Sequence, residues 1–132
     1  MLKQTILFGL VGLFLYGGCQ NDRTTPQQTS SPAVVAESTP TEYTKGEALF
    51  NTKCAPCHGI GAKGTDHGPP FLSKIYEPSH HGDQSFHRAV QQGVQAHHWT
   101  FGNMPKIEGV AEQEVNEIVA YVRWLQRQAG IF

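Results

Sequence analysis

Two cysteines and a histidine form the run of residues with the clearest chemistry in this chain. Cys54, Cys57 and His58 stand in the pattern C-x-x-C-H, which is the spacing of a c-type haem attachment site. Two thiols one helical turn apart can add to the two vinyl groups on one edge of a porphyrin, and the next residue brings its imidazole under the iron. The run therefore predicts one covalent haem c, with His58 as an iron ligand.

Two other kinds of site also use closely spaced cysteines. A thioredoxin-like redox pair is expected in a βαβ context and has no need of the histidine. A zinc site needs two further Cys or His ligands at matching spacing, whereas the chain holds only one other cysteine, Cys19. Haem attachment is the interpretation that uses all three residues of the motif.

Met104 is the candidate ligand for the opposite face of the iron. It lies 104 − 58 = 46 residues beyond His58, in the loop-forming run Gly-Asn-Met-Pro. A lone methionine often fills a core from a helix, but the following proline disfavours a helical conformation at Met104. A thioether in a stiff loop predicts an axial ligand, and His/Met ligation raises the potential of the iron.

The stretch from about Tyr43 to Gln128 resembles the small class I c-type cytochromes. Beyond the motif and the methionine loop, residues 46–50 look like the family's N-terminal helix, and Gly68-Pro69 looks like its Gly-Pro turn. Tyr121 and Trp124 lie in what looks like its C-terminal helix. The resemblance implies an all-α globule wrapped around one covalent haem, one-electron transfer as the activity, and a Pro69 carbonyl that accepts the His58 Nδ1–H.

The first 18 residues have the pattern of a secretory signal: basic Lys3, an apolar stretch over residues 6–15, and small residues before a cut. The stretch is too short to identify a membrane span. Cys19, directly after two glycines, resembles the lipid-receiving cysteine of bacterial lipoproteins, although Tyr16 stands where leucine is usual. Ordinary cleavage that leaves a free thiol, or an uncleaved anchor, stays open. With the haem pair assigned, the three cysteines leave no disulfide.

Residues 20–42 are rich in Thr, Ser, Pro and Gln and have no apolar periodicity, a composition that cannot offset its ordering entropy. We therefore divide the chain into a signal peptide (1–18), a lipidated cysteine with a disordered tether (19–42) and a cytochrome c domain (43–132). This organisation predicts an exported protein, anchored to a membrane and facing the periplasm or the cell exterior.

The charge of the chain excludes one class of partner. The sequence carries 10 basic and 11 acidic residues, and loss of Lys3 with the signal leaves 9 against 11, a net charge near −2. A nucleic-acid-binding protein would show a basic excess or a basic stripe.

Three helices are expected in the folded part. In the first, Thr44 and Glu47 form a capping box, and Gly46 allows another helix to approach its backbone, with Tyr121 or Trp124 as the neighbour. Asp83 is expected to cap the second helix, which ends at Gly93. The last helix, for which Gly109 is the only plausible cap, carries an apolar stripe. The expected buried positions are Leu49, Phe50, Phe86, Ala89, Val90, Val115, Ile118, Val119, Val122 and Leu125. No strand pattern appears over residues 59–83.

The run His97-His98-Trp99 is not explained by the resemblance. Trp99 could donate its indole N–H to a haem propionate or simply pack. His97 or His98 could do the same or compete as sixth ligand, although facing solvent is the commoner fate of loop histidines. Four other histidines could mark a metal site together with His97 and His98, namely His67, His80, His81 and His87. None of them forms a helical i, i+4 pair with His97 or His98, so no copper or zinc site is predicted.

The leading function is that of a lipid-tethered electron carrier between a redox donor and acceptor, possible acceptors being a terminal oxidase or another respiratory complex. The alternative is a haem enzyme or a sensor of peroxide, nitric oxide or carbon monoxide, which would need a weakly held sixth ligand. A third option is a subunit held inside a larger complex.

Overall fold

Four α-helices build the part of the chain that the computed structural model describes, residues 38–132. They are α1 (Thr44–Lys53), α2 (Ala55–His58), α3 (Asp83–Gln92) and α4 (Glu112–Gln128), and short 3₁₀ turns occur at Thr41–Tyr43, Ile60–Ala62 and Lys74–Tyr76. Within residues 38–132 the only β-type pairing is an isolated antiparallel bridge between Val94 and Met104. The all-α prediction is confirmed. The predicted signal, Cys19 and most of the predicted tether lie outside the described residues.

Helices α1 and α4 cross at a glycine. Gly46 is buried, and a Cβ atom there would lie 2.1 Å from the main-chain oxygen of Glu117 and 2.9 Å from the Cβ of Tyr121. The predicted close approach of a second helix to Gly46, beside Tyr121, is confirmed. Only a residue without a side chain permits this helix–helix distance.

The apolar stripe of α4 forms one wall of the core. Phe50 of α1 is fully buried, and its ring centroid lies 5.7 Å from that of Tyr121. Trp124 stacks on Tyr43 at the same centroid distance, 5.7 Å. Aromatic pairs at such distances add to the burial of their apolar area. Of the positions expected inside, those that are buried are Phe50, Phe86, Val90, Val115, Ile118, Val119 and Val122, while Leu49, Ala89 and Leu125 are partly covered.

The capping prediction for α1 was wrong. Tyr43, not Thr44, precedes the helix, because the 3₁₀ turn over Thr41–Tyr43 leads directly into it. The Thr44 hydroxyl donates to the carbonyl oxygen of Thr41 at 2.9 Å. That turn also takes up two residues that the sequence analysis assigned to the tether, Thr41 and Glu42.

The starts of α3 and α4 also differ from the sequence prediction. Gly82 is the N-cap of α3, and Asp83 is already helical. Ala111 is the N-cap of α4 rather than Gly109, and its main-chain N–H donates to the carboxylate of Glu114 at 2.8 Å. The end of α3 at Gly93 is confirmed, with φ at +78°.

A buried arginine joins α4 to the segment before α3. Arg123 is 8% exposed and donates from Nε to the Asp83 carboxylate at 2.8 Å. Its Nη1 donates to the carbonyl oxygen of Tyr76 at 2.8 Å, and its Nη2 to that of His81. Asp83 therefore serves as an ion-pair partner instead of a cap. Two main-chain carbonyls of residues 76–81 are fixed by the same guanidinium.

Within residues 38–132, no helix is both long enough and apolar enough to cross a membrane.

Candidate functional site

The residues predicted to bind haem line one cavity of about 580 Å³. Its walls include Cys54, Cys57 and His58 of the motif, and also Met104, which lies much further along the chain. This volume lies within the range of about 300–1,000 Å³ that is usual for cofactor and ligand pockets. Apolar side chains of α3 and α4 complete the lining, among them Phe86, Val90, Val115 and Ile118.

The two cysteines lie at the junction of α1 and α2. Cys54 is the residue between the helices and is partly buried, and Cys57, in α2, is exposed. Burial, and to a lesser extent the neighbouring Cys57, raises the pKa of the Cys54 thiol to about 11. A redox-active dithiol needs the opposite shift, towards the thiolate. The electrostatics of the pair therefore argue against a thioredoxin-like role.

His58 is buried and has a fixed orientation. Its Nδ1–H donates to the carbonyl oxygen of Pro69 at 2.9 Å, so the lone pair of the ring is on Nε2. Burial lowers the pKa of His58, although the bond to Pro69 works in the opposite direction. Its ring also stacks on Phe71, with centroids 4.2 Å apart. A neutral imidazole with a free Nε2 is the form that binds a metal.

The loop that carries Pro69 packs closely on the motif. A Cβ atom at Gly68 would lie 2.8 Å from the main-chain oxygen of Cys57, and the Thr65 hydroxyl donates to that oxygen at 2.5 Å. The absence of a side chain at Gly68 therefore sets the position of the Pro69 carbonyl relative to His58.

Met104, which lines the same cavity, is held by main-chain contacts. Its N–H donates to the Val94 carbonyl at 3.0 Å, and the Val94 N–H donates to the Met104 carbonyl at 2.9 Å. A Cβ at Gly93 would lie 2.5 Å from the Met104 oxygen, and φ of Gly93 is positive. The loop of residues 94–104 is thus closed at its base, and Met104 is half-buried.

Trp99 lines the same cavity with an unsatisfied donor. Its Nε1 is buried and has no hydrogen-bond partner among the described residues. Burial raises the pKa of the Tyr76 hydroxyl, and the neighbouring Trp99 side chain acts in the opposite direction. The indole N–H and this hydroxyl nevertheless do not meet hydrogen-bond geometry. A buried unpaired N–H is rare in a folded protein. A ligand that brings an acceptor, such as a haem carboxylate, fits this position.

The histidines divide into two groups. His67 pairs with the carboxylate of Asp66, and His87 is buried beside the side-chain oxygen of Asn116 at 3.0 Å. Both lie outside the cavity lining. His97 and His98 are exposed, as expected for loop histidines.

The exposed pair nevertheless lies against two other histidines on the rim of the cavity. One ring nitrogen from each of His80, His81 and His98 lies within 4.8 Å of the others. No metal site was predicted from the sequence, because these histidines do not form a helical i, i+4 pair. These histidines are on two separate loops, so only the tertiary structure places them together.

Arg123 and Gln126 are two further residues that sequence reasoning missed. The Gln126 amide is 1% exposed and donates to the carbonyl oxygens of Phe71 and Tyr76 at 2.9 and 3.0 Å. Both residues hold the main chain around the cavity. Their only sequence signal was a polar position beside the apolar stripe of α4.

The comparison with known families matches most of the folded part. The model of the family described as "Cytochrome c" matches residues 43–126, which is more than half of the 132 residues. No curated protein and no solved structure shows a significant match to the chain.

Proposed function

Since this chain belongs to the cytochrome c family, we propose that it is a membrane-tethered one-electron carrier with His58 and Met104 as axial ligands. Its cofactor is haem c, bound covalently, as in the family. Members of the family are typically electron carriers. The bound haem iron supplies the one-electron chemistry, and the chain supplies attachment, orientation and a closed surrounding.

The observation that carries the proposal is the placement of His58 and Met104 on the walls of one cavity. Each residue is fixed by main-chain contacts: His58 through the Pro69 carbonyl, and Met104 through its bridge to Val94. A firmly held sixth ligand leaves the iron no open position, which favours electron transfer over binding or activation of a small molecule.

The other residues have supporting roles in this proposal. Cys54 and Cys57 form the two thioether bonds. Pro69 keeps His58 in the tautomer that leaves Nε2 free, as a carbonyl hydrogen-bonded to the other ring nitrogen does for metal-bound histidines. Trp99 donates its unsatisfied indole N–H to a haem propionate. These assignments agree with the burial and the hydrogen bonds described above.

We further propose that Cys19 carries the membrane anchor. The support comes from the sequence: a basic start, an apolar stretch and two glycines directly before the cysteine. The protein would then be an exported lipoprotein. The polar residues that follow Cys19 would let the folded domain move between redox proteins at the membrane. The expected partners are an electron donor and an acceptor, such as a terminal oxidase or another respiratory complex.

The spectrum and reduction potential of the purified holoprotein test the assignment. The ferric form should show an iron–thioether charge-transfer band. The reduced form should not bind carbon monoxide readily at neutral pH, because Met104 occupies the sixth position. Ready binding of carbon monoxide by the unmodified protein would contradict Met104 ligation and would favour a haem enzyme or a gas sensor.

Acid–acetone extraction tests the covalent attachment separately. The colour should stay on the polypeptide, because thioether bonds survive the treatment that releases haem held only by axial ligands. Recovery of free haem from the intact protein would contradict the roles of Cys54 and Cys57.

A further inference from the structure

Three imidazoles meet on the rim of the cavity, outside the proposed haem ligands. His80 and His81 lie in the segment before α3, and His98 lies in the loop between Val94 and Met104. One ring nitrogen of each lies within 4.8 Å of the other two. The Nε2 atoms of His80 and His98 are only 3.3 Å apart.

These distances fit a shared metal ion. In a tetrahedral site with metal–nitrogen bonds of about 2.0–2.1 Å, two ligand nitrogens are about 3.3 Å apart. The His80–His98 pair already has this separation. The third nitrogen lies within 4.8 Å of the other two, and a shift of about 2 Å, which a side-chain adjustment can supply, brings it to the same spacing. Imidazole nitrogen is a suitable ligand for zinc, copper and nickel.

The hydrogen bond of His81 leaves its second ring nitrogen available to a metal ion. Its Nδ1–H donates to the carbonyl oxygen of Ile75 at 2.6 Å, so the lone pair of the neutral ring is on Nε2. Metal-binding histidines usually donate their second ring nitrogen to a carbonyl or a carboxylate in this way. A cluster of merely solvated histidines does not require such a bond.

Both loops are held in place by contacts that do not involve the imidazoles. Arg123 donates to the carbonyl oxygens of Tyr76 and His81 and fixes the first loop on α4. The second loop is closed by the Val94–Met104 bridge and by the Ala96 N–H, which donates to Asn103 Oδ1 at 2.9 Å. The main chain therefore brings the three rings together before any ion binds, which is the preorganisation that a metal site needs.

We propose that His80, His81 and His98 bind one divalent first-row transition metal ion, with the fourth position open to solvent. His80 and His98 are exposed and His81 is half-buried, so an ion reaches them without opening the fold. Because His98 and Met104 belong to the same closed loop, the bound ion would tie this loop to the segment before α3. Metal binding should therefore stiffen the loop that carries Met104, a consequence whose functional meaning depends on the proposed role of Met104.

Calorimetric titration of the oxidised holoprotein with zinc chloride tests the site. Zinc is the suitable probe because it has no redox chemistry that could alter the haem. We expect one equivalent to bind to the unmodified protein. His80→Gln and His98→Gln should each weaken binding at least about tenfold, since even the loss of a group that only hydrogen-bonds to a metal ligand costs about 10–100-fold in affinity.

His67→Gln is the matched control. Its imidazole is exposed and paired with Asp66, and the residue lies outside the cluster, so zinc affinity should not change. The proposal is overturned if no zinc binds. It is equally overturned if His67→Gln weakens binding as much as His98→Gln does, because zinc would then be bound by scattered surface histidines.

Hydrogen exchange provides a second readout. Zinc should slow the exchange of the Val94 and Met104 amides in the unmodified protein and in His67→Gln, and it should have no effect in His98→Gln. Unchanged exchange in the zinc-loaded protein would overturn the coupling to the loop. Neither measurement depends on the sixth iron ligand. The spectrum recorded before zinc is added therefore tests Met104 ligation separately from the histidine site.

Discussion

Gly46 and Glu117 lie so close that a Cβ atom on the glycine would be 2.1 Å from the main-chain oxygen of Glu117. The same two helices also share a surface ion pair, in which Lys45 Nζ lies 3.2 Å from the Glu117 carboxylate. Glu117 of α4 therefore makes two contacts with neighbouring residues of α1, a close main-chain approach to Gly46 and an exposed ion pair with Lys45. We expect these contacts to contribute very different amounts to the stability of the fold.

Replacement of Gly46 should separate the helices. Gly46→Ala gains about 1 kcal/mol of helix propensity, but it forces a clash with main-chain atoms, and overpacking of this kind costs about 1–3 kcal/mol. We expect a net loss of stability in denaturant unfolding of the holoprotein. Lys45→Ala is the control and should cost less than about 1 kcal/mol, because its ion pair is exposed. A Gly46→Ala protein as stable as the unmodified one would show that the helices separate at little cost.

Loss of the Met104 side chain should open the iron. Met104→Ala should remove the iron–sulfur band, lower the reduction potential strongly and allow the reduced protein to bind carbon monoxide, since a thioether ligand favours ferrous iron. Covalent attachment should survive, because Cys54 and Cys57 are unchanged. Met104→His is the matched variant: it should also lower the potential but keep the iron closed to gas. An unchanged spectrum in Met104→Ala would assign the sixth position to another residue, with His97 and His98 as the first candidates.

Arg123 should contribute more to stability than its neighbour on the same helix. Arg123→Leu leaves the carbonyl oxygen of His81 without its donor. It also removes one of the two donors to the Tyr76 carbonyl, of which Gln126 Nε2 is the other. A buried group left unsatisfied costs about 1–3 kcal/mol. We expect a loss of at least that size in chemical unfolding of the holoprotein. Arg127 is exposed, and within residues 38–132 its guanidinium bonds only to the Tyr43 hydroxyl. It serves as control, and Arg127→Ala should change stability by no more than about 0.5 kcal/mol. Equal effects of the two substitutions would contradict the anchoring role of Arg123.

Tyr121 should make the fold sensitive to alkali. Burial, followed by the nearby Glu47 carboxylate, raises the pKa of Tyr121 from 10.0 to about 12. Because the unfolded chain loses this proton first, the stabilisation is complete below about pH 10 and is lost as the pH rises towards 12. Unfolding free energies measured between pH 8 and pH 11.5 should fall more steeply for the unmodified protein than for Tyr121→Phe. Parallel curves would show that the phenol titrates normally.

Cys19 should carry the only membrane attachment. Cys19→Ser should give either unprocessed precursor or a processed, soluble protein with an unchanged haem spectrum. Fractionation of cells, followed by mass measurement of the mature chain, distinguishes these outcomes. A processed Cys19→Ser protein that still sediments with membranes would place the anchor elsewhere.

The sequence by itself determined the features that depend on neighbouring residues. The C-x-x-C-H run and the apolar period of α4 are local patterns, and each predicted a chemistry or a helix without knowledge of the fold. The role of Gly46 could also be anticipated, because a glycine inside a helix often marks a close approach of another backbone.

Only the tertiary structure decided how separate segments meet. The caps were predicted from side-chain type, but the 3₁₀ turn before α1 and the ion pair between Asp83 and Arg123 changed the roles of Thr44 and Asp83. The cluster of His80, His81 and His98 depends on two loops that a buried arginine and a short bridge hold in place. Contacts between residues far apart in the chain leave no period or spacing in the sequence. They arise from packing around the cavity, and this is why the metal site that we propose had no sequence signal.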